Sequence, residues 1–472
     1  MKVFTIELDT LKMLVETMNL FKSPTNSLQF VIGTDDRTAK EHPELLASKV
    51  IAVNGTMMCE RVFYSVRPED YDPDESLVYA KFNVKAASFL NCLNALLAYA
   101  EDVVFTVSDG RVELTSGKHA VLSEALVSDN EVEPLLPQDY ATKAVASFAM
   151  EGNRFVDLLR RGCGAIDNDG GNYTDRALFT LADNRISANS TDSKCVLKAW
   201  SDKVQVKFLL NLIPYAFGKK CAGMDAAEQK AFGTKLLSLT QRISPANKDD
   251  ADKAAAKKEL DEMAKENGVD LNTFDFCVLA PSLPVMRKCA SGVPQVMVAV
   301  TDNHLYMNAG ALMATFTLGT PLANNIYVSM EKLRNGTALA KCVVDVQELM
   351  NGLNISFLGM TEATQDALRV TMDEGALIMS CAGRTIRTPF VEKEGVLSQV
   401  DFRLNPYVFK RALSSMSNGN LAIIVRDDDH APIEVYNGSL SEPGSSYALV
   451  FRVVLNSKDD AEEKDGTDDN EE

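Results

Sequence analysis

The sequence repeats one local pattern, in which two runs of alternating apolar residues flank a tight turn. Residues 105–117 read FTVSDGRVELTSG, and the Ser-Asp-Gly turn between the two runs predicts a β-hairpin. Related stretches occupy 179–192, 298–310, 370–383 and, more loosely, 423–436. A chain that repeats one element in this way is expected to build its fold from copies of a single unit.

The repeating unit is larger than the hairpin. A helix-forming segment precedes each hairpin, a short strand precedes each such segment, and the start of the chain follows the same order, so we count six units. The predicted helices cover 9–23, 85–101, 154–163, 281–291, 345–361 and 403–417. One unit alone exposes an apolar helix face and an apolar sheet face. We therefore expect the units to pair into three α+β domains.

Turn-rich segments at 133–141 and 318–327 separate the predicted pairs. Two segments depart from the repeat: one is rich in alanine and charge and predicts a helical insertion, and the other is acidic, lacks aromatic residues and predicts a disordered tail. The resulting boundaries are 1–138 for the first domain, 139–327 for the second with its insertion at about 217–272, 328–456 for the third and 457–472 for the tail.

The composition and the N-terminal sequence indicate the cellular compartment of the protein. Hydrophobic residues make up 46% of the 472 residues, yet no apolar run reaches membrane-spanning length, and acids interrupt the N-terminus where a signal peptide needs apolar residues. The nine cysteines form no C-x-x-C pair, which favours reduced thiols. We expect a cytoplasmic protein.

Catalytic motifs are absent from the sequence. There is no phosphate-binding loop, dinucleotide fingerprint or nucleophile elbow. The acids before His430 fall at a predicted hairpin turn, and Cys163 has no evident base, so a buried thiol is the preferred interpretation. The histidines lie far apart, at His42, His119, His304 and His430. We expect no enzyme activity, no cofactor and no metal.

Charge is distributed unevenly. The net charge of −18 opposes nucleic-acid binding, but the six helix segments contain eleven basic and six acidic residues. Ordinary solvated helix faces would explain this excess equally well. If the helices shared one surface, however, it would be positive and would suit phosphates. The main contributors are Arg160, Arg161, Arg287, Lys288, Lys410 and Arg411.

Three long stretches match successive parts of one known family. Residues 111–137 resemble the end of its first domain, 176–200 (RALFTLADNRISANSTDSKCVLKAW) two strands and a loop of its second, and 401–436 a helix and strands of its third. Together they resemble the bacterial-type DNA polymerase sliding clamp, or β clamp, in a divergent form. The likeness covers about 1–200 and 273–455, which agrees with the six units.

The resemblance implies a three-domain DNA clamp fold in which two chains close head to tail into a ring. Such a homodimer would encircle duplex DNA and tether the replicative polymerase and other replication proteins as a processivity factor. A separate ATP-dependent loader would open it, in a bacterial cell or in an infected host cell if the protein is viral. A clamp-fold scaffold or decoy that does not encircle DNA, and an unrelated enzyme, are the alternatives.

The resemblance also implies two sets of site residues. A pocket for partner peptides between the second and third domains would include Thr174, Thr191, Asp192, Ser193, Lys194, Cys195, Val196, Val450 and Phe451. Ser-Lys-Cys-Val stands there in place of the family's Gly-His-Arg-Leu. Near DNA, the stretch 172–176 contributes Tyr173 and Arg176, and Lys22 follows the first helix. With the six helix cations, these residues form the predicted DNA-binding set.

Overall fold

The structure, a computed structural model, describes most of the chain. The histidines His42 and His119, Asn172, the predicted tail and the greater part of both boundary segments lie outside the described residues. The described ranges are 1–22, 26–33, 43–118, 120–127, 140–166, 173–221, 223–320, 332–334, 336–357, 367–416, 419–441 and 443–453.

The fold consists of six units, and in each of them a strand and a helix precede three strands. The predicted hairpin is thus the core of a three-stranded meander, because the polar turn after each hairpin leads into one more strand. The first unit contains β1 (Lys2–Ile6), α1 (Leu8–Asn19), β2 (Ser27–Ile32), β3 (Leu45–Asn54) and β4 (Met57–Val66). The second contains β5 (Ala80–Lys85), α2 (Ala86–Leu97), β6 (Val103–Ser108), β7 (Arg111–Ser116) and β8 (Ala120–Ala125).

The third and fourth units follow a one-turn helix, α3 (Tyr140–Lys143). The third contains β9 (Ala146–Met150), α4 (Gly152–Gly162), β10 (Arg176–Ala182), β11 (Arg185–Thr191) and β12 (Cys195–Trp200). Strand β13 (Val206–Phe208) and the helices α5 (Leu212–Cys221), α6 (Ala226–Ile243) and α7 (Asp250–Asn267) come next. The fourth contains β14 (Thr273–Leu279), α8 (Ser282–Ala290), β15 (Val296–Val300), β16 (His304–Ala309) and β17 (Leu312–Gly319).

The last two units have the same order of elements. The fifth contains β18 (Ala338–Asp345), α9 (Val346–Ser356), β19 (Leu368–Met372), β20 (Ala376–Cys381) and β21 (Arg384–Pro389). Strand β22 (Glu392–Gly395) and a 3-10 turn at Leu397–Gln399 follow it. The sixth contains β23 (Asp401–Leu404), α10 (Pro406–Ser414), β24 (Asn420–Arg426), β25 (Ile433–Gly438) and β26 (Pro443–Val450).

Adjacent units exchange strands. Strand β1 pairs with β6 of the next unit, and β2 pairs with β5. The same relation joins β9 to β15 and β10 to β14, and again β18 to β24 and β19 to β23. All of these pairings are antiparallel. Each unit therefore completes the sheets of its neighbour, and the units form pairs. The α+β fold class predicted from the sequence is confirmed.

Two further strand pairings join the pairs of units to one another. Strand β17 pairs with β4, and β12 pairs with β26, where Cys195 lies opposite Val450. A 22-stranded sheet results, beside a four-stranded sheet of β19, β20, β21 and β23. Among the described residues, the ladders of β8 and β21 each have one partner strand, β7 and β20. The last strands of the other four units, β4, β12, β17 and β26, each pair across a junction between pairs of units, so β8 and β21 are the two last strands that keep a free edge.

The helices bury their apolar faces against the sheets. Phe89 of α2 contacts Phe30 of β2 at 5.5 Å between ring centroids, and Phe30 stacks on Phe82 at 5.1 Å. Local sequence fixes where helices begin: the Asn405 side chain accepts hydrogen bonds from the backbone N–H groups of Tyr407 and Val408, and Pro406 occupies the first turn of α10.

Helices α5 to α7 form a small subdomain with its own core, in the region where the sequence predicts charged helices. Phe217, Leu236 and Leu260 are buried within it. Asp225 caps α6 in a capping box with Glu228. The first of these helices begins at Leu212, five residues before the predicted start of the insertion. Within the described part of the chain, no helix is long and apolar enough to cross a membrane.

Candidate functional site

An apolar cluster lies on the sheet face turned away from the helices, where the third unit meets the sixth. Side chains alternate between the two faces of a strand, so every second residue of β10, β12, β14 and β26 points to this side. We call this set the outer cluster. Its buried members are Leu178, Val196, Cys277, Tyr447 and Leu449, and partly buried Tyr173, Trp200, Tyr436 and Phe451 pack against it.

The same alternation corrects two of the predicted pocket residues. Cys195 and Val450 are fully buried in the core beneath the helices of the last two units. Their neighbours Val196 and Phe451 point the other way and do contribute to the outer cluster. Leu449, rather than Val450, is the aliphatic residue of β26 on this face. Strand parity, applied to β12 and β26, would have identified it.

The turn between β11 and β12 borders the outer cluster. One oxygen of the Asp192 carboxylate accepts hydrogen bonds from the backbone N–H groups of Lys194 and Cys195, at 2.9 and 2.8 Å. Ser193 adopts the left-handed conformation, with φ +71°, which the tight turn requires. The backbone N–H of Phe451 donates to the Lys194 carbonyl at 3.0 Å. The predicted loop residues and the C-terminal strand therefore meet at this turn, whereas Thr191 and Thr174 are buried.

A buried carboxylate supports the aromatic border of the cluster. Glu434 is 1% exposed; it accepts hydrogen bonds from Arg426 Nε and from the Tyr436 hydroxyl, both at 2.6 Å. Burial and this carboxylate raise the pKa of Tyr436. Arg334 stacks over the Tyr447 ring at 4.8 Å and pairs with Glu434. The network orients the two tyrosines with their rings toward the cluster.

The predicted DNA-binding cations fall into two groups. In the first group the side chains face solvent. Arg287 and Lys288 are exposed on α8, and exposed Lys22 donates to Asn91 Oδ1 at 2.8 Å. Lys410 of α10 is half-buried, with Nζ 5.0 Å from the Phe357 ring centroid. These four residues place basic groups on the side of the molecule where the helices lie, which we call the helical face.

In the second group the arginines join distant parts of the chain. Arg161 has only 7% of its side chain exposed; it donates to Asp157 and to the carbonyls of Ser445 and Trp200. This corrects the expectation that Arg161 lies on the helix surface. Its guanidinium is occupied by partners within the protein and does not face solvent as a DNA contact would. Its guanidinium is enclosed because α4 packs over β11 and β12, where the guanidinium reaches the Ser445 carbonyl of the neighbouring strand β26.

Arg160 and Arg411 also bridge the third and sixth units, although both remain partly exposed. Arg160 Nη1 donates to the Ser414 carbonyl at the end of α10, at 2.6 Å, and Nη2 pairs with Asp157. Arg411 pairs with Asp192. Burial would raise the pKa of Asp157, but Arg160 and Arg161 outweigh this effect and hold the pKa below its ordinary value. We call Arg160, Arg161 and Arg411 the junction arginines.

The stretch after position 172 is likewise engaged within the molecule. Tyr173 packs against the outer cluster, on the face opposite to the helices. Arg176 is mostly buried, pairs with Asp175 and donates to the Thr320 carbonyl at 3.0 Å. The hydrogen bond from Arg176 lowers the pKa of the Asp175 carboxyl. The resemblance predicts Tyr173 near DNA, and the structure places it on the face opposite to the helix cations.

Two features of the described residues bear on catalysis, namely possible metal-binding groups and the Cys163 thiol. No group of three or more His, Cys, Asp or Glu residues there could hold a metal ion. Burial raises the pKa of the Cys163 thiol, which opposes the thiolate that a nucleophile needs. The acidic run before His430 lies in the turn between β24 and β25, as predicted.

This arrangement of paired, strand-exchanged units is similar to that of solved DNA sliding clamps. A putative DNA polymerase III beta subunit from Eubacterium rectale ATCC 33656 matches 97% of this chain and 100% of its own, with a TM-score of 0.67 and 11% identity. The beta subunit from Thermotoga maritima matches 96% and 100%, with a TM-score of 0.66 and 10% identity. The sliding clamp from Bacillus subtilis matches 96% and 99%, with a TM-score of 0.65 and 12% identity.

No family model and no curated protein sequence matches the chain. At 10–12% identity the structural likeness establishes the fold, and the resemblance noticed in the sequence is confirmed at that level.

Proposed function

We propose that this protein is a sliding clamp, a non-enzymatic processivity factor of DNA replication. Two copies would join head to tail into a ring around duplex DNA, and the ring would tether a DNA polymerase and other replication proteins. A separate ATP-driven loader would open it. The observation that carries the proposal is that the last strands of four units pair across the junctions between pairs of units, whereas β8 and β21, the last strands of the second and fifth units, have no such partner among the described residues.

Free edges of this kind favour association. An unpaired strand presents unused backbone donors and acceptors, and proteins usually cover such edges. Strand β8 carries Glu124, whereas β21 carries exposed Arg384 and Arg387, so the two edges have opposite charge. A head-to-tail contact between unlike edges generates a closed ring when its rotation completes. The two edge pairings inside the chain, β17 with β4 and β12 with β26, supply the pattern for that contact.

The helical face supports a weak, sequence-independent contact with DNA. Lys22, Arg287, Lys288 and Lys410 are available there, while the junction arginines are engaged within the protein. A few phosphate contacts suit a ring that is retained by topology and must slide. The overall acidity of the chain would limit tighter binding.

Reversing two charges on α8 tests the DNA contact. We expect Arg287→Glu with Lys288→Glu to weaken binding to a linear duplex and to reduce the slope of log K against log salt by about two, one unit for each lost phosphate contact. Fluorescence anisotropy at several salt concentrations measures both quantities. The matched control is Lys257→Glu with Lys258→Glu, an adjacent exposed pair on α7. Equal loss in both variants would indicate a net-charge effect and contradict the assignment.

The outer cluster is the proposed docking site for short peptides of polymerases. Its partly buried aromatic border offers the apolar anchoring surface that dominates such interfaces. We expect Phe451→Glu to weaken binding of the purified polymerase of the same replication system at least about tenfold in biolayer interferometry. Val62→Glu, on the exposed face of β4, is the control. Unchanged binding by the Phe451 variant would exclude this face as the docking site.

The three-domain division at 138 and 327 remains a proposal, supported by the pairing of units one with two, three with four and five with six. A scaffold or decoy is the competing function. It would bind polymerase through the outer cluster yet would not be retained on circular DNA.

A further inference from the structure

A cleft of about 330 Å³ opens between the turn that joins β11 to β12 and the first turns of α10. Its polar walls come from Asp192 and Lys194 on one side and from Asn405, Tyr407 and Arg411 on the other. The cleft adjoins the helical face, since the Tyr407 ring contacts Phe357 at the end of α9, with the centroids 5.1 Å apart.

The cleft and its border carry a net positive charge. Arg411 and Asp192 neutralise each other in an ion pair. Lys194 is exposed at the turn, and Lys410 lies beside the cleft with its ammonium over the Phe357 ring, a contact that leaves its charge in place. The N-terminus of α10 adds a partial positive charge. An anionic segment would therefore be stabilised here.

The last described residues of the chain, up to Val453, lie beside this cleft. The backbone N–H of Phe451 donates to the Lys194 carbonyl at 3.0 Å, and that of Val453 donates to the Arg403 carbonyl at 2.8 Å. Arg403 is only two residues before Asn405, so the last described residues run along both walls. Residues 454–472 follow, with nine acidic residues, two lysines and no aromatic residue. The first carboxylate, at Asp459, is six residues from Val453, and an extended chain of that length spans about 20 Å.

We propose that the acidic segment 457–472 docks in this cleft in cis, with its carboxylates on Lys194 and Lys410. Tethering favours this occupant over a free anion, because a short link gives an effective concentration in the millimolar range. The consequence rests on the proposed function: a docked acidic segment would compete with DNA phosphates at the adjoining helical face. It would reduce adventitious binding to DNA outside the ring.

Carbodiimide cross-linking of the full-length protein tests the contact directly, because the reagent joins carboxylates to amines that touch. We expect mass spectrometry to find cross-links from the tail carboxylates to Lys194 and Lys410 within one chain, suppressed by 0.5 M salt at about a 4 Å Debye length. Exposed Lys248, on the turn between α6 and α7, is the internal control. Cross-links no more frequent at Lys194 and Lys410 than at Lys248, or found only between chains, would overturn the proposal.

A second measurement tests the competition with DNA. In a variant that keeps the tail length but carries amides at its nine acidic positions, we expect about tenfold tighter binding to a short linear duplex at low salt. Introducing Lys194→Glu with Lys410→Glu should remove the difference between acidic and amide tails. Equal affinities of the acidic and amide tails would overturn the competition. If no variant binds DNA, the proposed function fails, and the cross-links still decide whether the tail docks.

Discussion

Replacing Val121 with aspartate is expected to convert the protein from a dimer into a monomer. Val121 lies on the free edge strand β8 and is 64% exposed, a high value for an apolar residue in a strand. If β8 pairs with β21 of a second chain, Val121 becomes buried, and an aspartate there would be an unpaired charge in the interface. Such a change costs several kcal/mol, which weakens association a hundredfold or more. Size-exclusion chromatography with light scattering measures the mass.

A mixing experiment establishes the head-to-tail geometry. Arg384→Glu with Arg387→Glu damages the opposite edge by placing acids against Glu124, so each variant alone should be monomeric. An equal mixture retains one intact β8 and one intact β21, and it should form dimers with a single interface. If β8 instead paired with β8 of the second chain, the Val121 variant would be monomeric and the arginine variant would remain dimeric. Leu237→Asp, at an exposed apolar site on α6, is the control and should remain dimeric.

Replacing Arg161 with methionine is expected to lower the free energy of unfolding by about 3 kcal/mol. The substitution keeps the apolar stem but leaves the carbonyls of Ser445 and Trp200 without their donor, in a contact that is only partly exposed to water, and it leaves Asp157 with one arginine partner fewer. Urea denaturation followed by tryptophan fluorescence measures the loss. Trp200 is the single tryptophan of the chain and lies at this contact, so its emission reports on the junction directly.

Lys288→Met provides the matched comparison, because Lys288 was assigned to the same basic surface from the sequence but is exposed on α8. We expect its free energy of unfolding to change by no more than about 0.5 kcal/mol. Similar small effects in both variants would contradict the role of Arg161 as a junction residue, and similar large effects would show that α8 also carries a structural cation.

The repeat was predictable because its determinants are local. Alternation over Val103–Ser108 and Arg111–Ser116, with Asp109 and Gly110 between them, specifies a hairpin without help from distant residues. Helical periodicity before each hairpin is equally local. The third strand was missed in most units because the pattern of its segments is short or mixed, as in Arg384–Pro389, and their partner strands stabilise them.

The roles of the arginines were not predictable in the same way. Arg160 and Arg161 follow one another on α4, yet their carbonyl partners Ser414 and Ser445 lie more than 250 residues away. The local sequence shows how many charged residues a helix carries, but it does not show which distant residues pack over them. The face on which each strand residue lies, in contrast, could have been predicted from the alternation of side chains. Val196 and Phe451 lie on one face of the sheet, and Cys195 and Val450 lie on the other.

Negative-stain electron microscopy of the purified protein tests the central claim most directly. The proposal predicts class averages of a closed ring with about six lobes around an open hole, from two chains of three paired units each. Compact particles without a hole, or open arcs at concentrations where light scattering reports a dimer, would contradict the encircling mechanism.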